Sequence, residues 1–168
     1  NKKSLDKWLK ILNEQSVIAV DTETSSLNPL EADLIGVSFS YAPNKACYIP
    51  LAHKNIKSLK KKLVLEKIKP ILEDPSIKKV GQNIKFDFIV LKQNGIEVNP
   101  IEDTMLISYT LDAGSNRHNL DTLSEIHLEH KTISYKELVG TGKNKLNFSD
   151  IELDKATEYA AEDADVTL

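Results

Sequence analysis

Two carboxylates separated by one threonine close the apolar run Val17-Ile18-Ala19-Val20, in the stretch VIAVDTETSSL over residues 17–27. Residues two apart on a strand face the same side, so Asp21 and Glu23 project together while Thr22 turns away. Such a pair is either a solvated loop-edge feature or part of a site for a hard divalent cation, where crowded carboxylates become an asset. Two further segments supply acids. In VGQNIKFDFIVL, Asp87 falls one turn into a predicted helix, bracketed by Phe86, Phe88 and Ile89. An acid in that turn also suits the helix dipole, which is a purely structural use. In EYAAEDADVTL, Tyr159 and Asp163 stand four apart and share one helix face. Ala156 and Ala160 keep that surface thin, as a helix lying against the Asp21 strand would require.

The elements that must position these residues can be read from periodicity and turn signals. Ser4 is placed as the cap of a short helix with Leu5, Trp8, Leu9 and Leu12 on one face. Strands are predicted at 17–22 and 34–41. Pro43-Asn44 turns the second of them into a third at 46–51. Ser58 is expected to open a lysine-rich helix that runs to Glu73, with Pro70 distorting its last turn. A short strand at 79–82 precedes a helix at 84–94, and Gly95 takes the position just past its end. Helices follow at 103–112, 120–130 and from Asp154 onward, with a short turn near Tyr135. Three meandering strands, a crossover helix, a further strand and then helices give an α/β fold with a mixed sheet flanked by helices. The first and fourth strands are predicted to be parallel neighbours.

Composition sets limits on function. The chain has 168 residues, 40% hydrophobic and 28% charged, the makeup of one globular domain with a substantial core. No apolar run reaches the roughly 20 residues a membrane helix needs, and the start NKKSLDKWLK is not a signal peptide. Cys47 is the only cysteine, which excludes an internal disulfide and cysteine-based metal sites. A cytoplasmic setting follows as the expectation, and the sequon Asn147-Phe148-Ser149 then carries no meaning. The net charge of −3 argues against a dedicated, tight nucleic-acid binder but not against an enzyme whose acids are neutralised locally by metal ions. The first residue is not Met and the last helical pattern stops without a cap. Residues 1–168 are therefore expected to be one domain excised from a longer chain.

The three acidic segments, in this order, are recognisable. The chain resembles the proofreading 3′→5′ exonuclease domain of bacterial DNA polymerase I, the family A polymerases. That domain is a DEDD exonuclease with a ribonuclease H-like fold. DTETSSL matches the first motif of the family, GQNIKFDFIVL the second and YAAEDADVTL the third. The likeness extends through YIPLAH, EDTMLISYTLDAGSNRHNLDTL and HKTISYKELVGTGKNKL, so it spans nearly the whole chain. A tyrosine four before the last aspartate places it in the tyrosine subclass.

This resemblance implies a hydrolase that removes 3′-terminal nucleotides from single-stranded or frayed DNA, in replication and repair. Asp21, Glu23 and Asp163 would hold one divalent ion, and Asp21 with Asp87 a second. The ions would be Mg²⁺ or Mn²⁺, with Zn²⁺ admissible at one site. Tyr159, with an ordinary pKa of ~10, is assigned to orienting water rather than to taking its proton. Leu27 is implied as a wedge, Gln82 and Asn83 as polar contacts to the terminal nucleotide, and Phe86 and Tyr135 as packing for base or sugar. Arg117 is a candidate phosphate contact. Phe86 stands where relatives often carry tyrosine, so a hydroxyl contact at that place would be missing. The implied partners are the DNA and a covalently linked polymerase domain, in a monomer with no membrane association.

Other features point elsewhere only weakly. GTGK at 140–143 lacks the spacing of a P-loop, and Asn144 follows its lysine. The Lys60-Lys61-Lys62 run suits a solvated helix face. His53, His118, His127 and His130 lack the pairing of a zinc site. The competing functions are a ribonuclease D-like exoribonuclease with the same carboxylates and tyrosine, and a catalytically silent domain that braces a polymerase or binds single strands.

Overall fold

The computed structural model describes residues 1–54, 56–142 and 145–168. Lys143 and Asn144, on which the comparison with a P-loop turned, lie outside the described residues. The chain opens with helix α1 (Lys2–Leu12), followed by strands β1 (Val17–Thr24), β2 (Leu34–Ala42) and β3 (Lys45–Pro50). Next come α2 (Lys61–Leu72), β4 (Lys78–Gly81), α3 (Lys85–Gln93) and β5 (Ile101–Asp103). Helices α4 (Thr104–Leu111), α5 (Leu120–Leu128), α6 (Tyr135–Val139) and α7 (Leu153–Thr167) complete it.

The sheet order is β3-β2-β1-β4-β5. β1, β2 and β3 form the expected antiparallel meander, and β1 pairs with β4 in parallel, as the sequence predicts. The fifth strand was not predicted. β5 is only three residues long, follows Pro100 and carries two acids, so neither propensity nor alternation marks it. It pairs in parallel with β4 and delivers Asp103, whose carboxylate accepts from the amides of Met105 and Leu106 and so starts α4.

Two apolar layers sandwich this sheet. On one face Ile18 and Val20 of β1 join Val37 and Phe39 of β2 against Leu5, Leu12, Val64, Ile68, Val90 and Leu91 of α1, α2 and α3. On the other face α7 lies across β1, β2 and β3, and its Ala156 and Ala160 pack with Ile35, Tyr48 and Phe148. The alanines let the helix approach closely, as the sequence suggested. α4 differs from every other long helix. It is apolar in composition yet buries none of its residues.

Several element ends differ from expectation. Asn1, not Ser4, caps α1, and its side chain accepts from the Ser4 amide at 3.0 Å. Asn is an equally good cap, and the chain takes the one lying three residues earlier. α2 starts at Lys61 rather than Ser58, and the Ser58 hydroxyl donates to the Leu51 carbonyl at 3.2 Å. The helix passes through Pro70 and ends at Leu72. The turn foreseen near Tyr135 is the one-turn helix α6. No helix among the described residues is long and apolar enough to cross a membrane.

Candidate active site

β1 carries its two acids out on the α7 face, and α7 brings a third to meet them. One oxygen each from Asp21, Glu23 and Asp163 lie within 4.8 Å of one another, the one such group of potential metal ligands among the described residues. Local irregularity helps to build it. Glu23 pairs with Gly36 and Thr24 with Leu34, so β2 bulges at Ile35 where the acids leave the strand. Gly36 is needed there because a Cβ would overlap the ring of Tyr48, whose phenol is raised by burial and then by the charges of Glu23 and Asp21. The Tyr48 hydroxyl lies 2.8 Å from Nε2 of buried His53.

Asp87 enters from the opposite side of the sheet, in the first turn of α3. Its Oδ1 accepts from the Thr22 amide at 2.9 Å and from the Thr22 hydroxyl at 2.5 Å. Thr22 does turn away from Asp21 and Glu23, and this is what it turns toward. Sequence reasoning missed that role. The available signal was a hydroxyl-bearing residue at the place where the inward-facing row Ile18, Val20 calls for another aliphatic.

α7 is held over the site by two more acids. Glu162 accepts from the Ile133 amide at 2.6 Å and lies 2.8 Å from Nε2 of His130. Asp165 accepts from the Asn44 amide at 2.8 Å and the Ser40 hydroxyl at 3.3 Å, pinning the β2–β3 turn.

Electrostatically the pocket is unbalanced. Burial, then the charges of Asp87, Glu23 and Asp163, holds the Asp21 carboxyl well above the usual range. Burial, then Asp163 and Asp87, does the same to Glu23. Burial also pushes Asp87 up to about 7 against the two opposing bonds from Thr22. Asp163 reaches about 7 as well, for the same reason and against the neighbouring Tyr159 hydroxyl. Among the described residues no lysine, arginine or histidine pairs with any of the four. Clustered, partly desolvated carboxylates with no protein cation are a donor set suited to hard divalent ions, and oxygen ligands fit Mg²⁺ and Mn²⁺ best.

Tyr159 is half-buried, 6.1 Å from the Phe148 ring and 5.9 Å from Tyr135. Burial, then the charges of Asp163 and Glu23, raises its phenol far above the ordinary range, so it keeps its proton. Tyr135 is thus joined to the acidic pocket through Tyr159, with the Lys145 ammonium 5.6 Å above its ring. Leu27 stands just past β1, 91% exposed. Asn83 is exposed in a left-handed conformation (φ 55°) and donates its amide to Asp103 at 3.0 Å. The Gln82 amide is already engaged, donating to the His118 carbonyl at 2.7 Å and accepting from Thr104 at 2.5 Å. This tie draws the loop carrying exposed Arg117 toward the second motif. Phe86 packs on the larger core.

A helix crossing a mixed five-stranded sheet is an architecture shared with solved structures. Escherichia coli RNase D superposes with a TM-score of 0.71 at 20% identity, over 99% of this chain and 40% of that one. Brucella melitensis NrnC with bound Mg²⁺ gives 0.67 at 24%, over 92% and 69%. The fold is therefore the ribonuclease H-like fold of 3′→5′ exonucleases. Residues 1–168 match the 3′-5′ exonuclease family throughout, and the chain belongs to it. It is 42% identical to DNA polymerase I of Rhizobium leguminosarum over 185 aligned residues, covering 98% of this chain. It spans only 18% of that relative's length.

Proposed function

We propose that these 168 residues form one proofreading domain of a longer DNA polymerase chain, hydrolysing the 3′-terminal phosphodiester of single-stranded or frayed DNA to release 5′-mononucleotides. The observation that carries this proposal is the convergence of Asp21, Glu23 and Asp163 within 4.8 Å, with no cation among the described residues paired to them, in a chain of this family. Asp21, Glu23 and Asp163 would hold one divalent ion, and Asp21 with Asp87 a second. Bound there, such a pair supplies an activated water and steadies charge on the departing 3′ oxygen. Mg²⁺ or Mn²⁺ suits both places, and Zn²⁺ one of them.

The chain's own groups do the rest. Tyr159 positions the water through its hydroxyl and holds its proton. Leu27, exposed beside the pocket, wedges the last bases apart, and Tyr135 offers a ring on which a base or sugar packs. Arg117 meets a phosphate, and Asn83 the terminal nucleotide. Gln82 reaches that nucleotide by exchanging its present bonds to Thr104 and His118. The domain works as a monomer in the cytoplasm, joined to its polymerase domain.

The test is digestion of a 5′-labelled single-stranded DNA, beside an RNA of the same sequence, with Mg²⁺, Mn²⁺ or chelator. Metal-dependent shortening from the 3′ end, faster on DNA, is the expected result. Preference for RNA would favour a ribonuclease D-like role, and no turnover with either metal would favour a silent bracing domain.

A further inference from the structure

We propose that Thr22 is a positioning residue for Asp87, fixing which carboxylate oxygen faces the metal site and how far α3's ligand stands from those of β1. The proposal rests on the assignment of Asp87 as a metal ligand made above. Thr22 is buried at the end of the row Ile18, Val20, on the face that packs against α1, α2 and α3. A hydroxyl buried there costs stability unless it is bonded. Both donors of this one residue, amide at 2.9 Å and hydroxyl at 2.5 Å, converge on Oδ1 of Asp87. Oδ2 is therefore the oxygen that Thr22 leaves free for a cation.

The tether matters because α3 otherwise meets β1 through apolar packing, and among the described residues both hydrogen bonds that other residues give the Asp87 side chain come from Thr22. Asp87 comes from a different element, on the opposite face of the sheet, and α3 starts without a side-chain cap of its own. Thr22 stands between Asp21 and Glu23, so its two bonds set the helix ligand against both strand ligands at once. Outer partners that orient a ligating carboxylate change metal affinity or activity by about 10–100-fold when removed. Losing only the hydroxyl, with the amide kept, should act within that range.

The experiment compares Thr22→Val, nearly the same shape without the donor, with Thr22→Ser, which keeps it, and with Asp87→Asn, all in the intact protein. Mn²⁺ binding is followed by electron paramagnetic resonance, with melting in chelator and single-turnover DNA cleavage across a Mn²⁺ series. Thr22→Val should weaken the looser Mn²⁺ site about 10-fold or more. Its cleavage should recover as Mn²⁺ rises while KM for DNA stays put, and Thr22→Ser should bind Mn²⁺ nearly as the parent does. A Thr22→Val protein that melts earlier but binds Mn²⁺ like the parent would show a structural tether only, and would overturn the proposal. If Thr22→Val does not fold, Thr22→Ala replaces it under the same criterion. Should Asp87→Asn bind two Mn²⁺ ions and cut normally, the ligand assignment itself fails, an outcome separable from the failure of Thr22.

Discussion

The end of β1 and helix α4 break the inside–outside rule in opposite directions. At the first, Asp21, Glu23, Asp87 and Asp163 are drawn out of water with no cation among the described residues paired to them. At the second, Leu106 and Leu111 stand 61% and 81% exposed in a helix that buries nothing. The cost of the two is very different. Desolvating carboxylates beside one another is unfavourable by several mechanisms at once, whereas exposed aliphatic side chains are tolerated on any protein surface. A fold holds the first arrangement only where something repays it, and the packing of α7, the β2 bulge and the Thr22 tether all serve to hold it. The difference teaches where function should be sought: in the arrangement that the rest of the structure is built to maintain.

The contrast can be broken most severely at Asp21, assigned to both ions. Asp21→Ala should remove cleavage almost entirely, while its melting temperature in chelator should equal or exceed the parent's, because a clustered like charge has gone. A variant that unfolds would make Asp21 a structural acid and place β1's end on the same footing as any buried polar contact.

A smaller effect separates the two α7 residues. On the proposed roles, Asp163→Ala removes a ligand and should be far slower, with Mn²⁺ rescuing it only in part. Tyr159→Phe would remove one orienting hydrogen bond and should fall by about 10²-fold or less. Single-turnover cleavage across a pH series decides it. A Tyr159→Phe variant as inactive as Asp163→Ala would mean that the phenol relays a proton, against the direction of its shift.

Stability without metal sharpens the comparison further. Asp87 and Asp163 move from an ordinary 3.8 to about 7 on folding, so the folded state binds protons more tightly. That contribution is complete below about pH 4 and is lost as pH rises through about 7. Asp6, Glu73 and Asp74 are shifted down by their hydrogen-bonding partners and act only below the ordinary carboxylate range, while His53, held below 6.5 by burial, opposes the cluster with one group against its several. Melting in chelator should therefore fall between pH 5 and about 8, and Asp163→Asn should flatten the slope. A parent melt that rises over this interval would contradict the assigned burial.

The smallest change is expected at α4. Leu106→Ser and Leu111→Ser should each alter stability by no more than about 0.5 kcal/mol, as substitutions at solvent-facing sites do. Leu91→Ala, fully buried under the sheet, should cost about 2–5 kcal/mol. Urea titrations of the three give the comparison directly, and a large loss at Leu106 would show that α4 buries more than its surface suggests.

Much of this was legible in the sequence because it depends on local spacing. The D-x-E pair on one strand face, the four-residue step from Tyr159 to Asp163 and the alanine stripe all follow from period 2 or 3.6. The meander and the parallel β1–β4 pair follow from turn signals and a crossover helix. What could not be read depends on partners distant in sequence. Thr22 meets Asp87 across 65 residues, and Asp165 meets Asn44 across 121. Neither leaves a periodic trace. β5 escaped because three residues beside a proline are too few to show alternation, and the start of α1 because Asn1 and Ser4 are both good caps. Gln82 was expected to be free for substrate, and only the fold reveals that Thr104 and His118 already hold it.

The central claim is that the acids at the end of β1 are gathered for a cation. Melting of the parent and of Asp21→Ala, in chelator and then in Mn²⁺ at about 100 times its dissociation constant, tests it without requiring catalysis. The parent should gain about 2.7 kcal/mol, the linkage expected for one such site, and Asp21→Ala should gain little or nothing. Equal gains in the two proteins, or none in either, would contradict it.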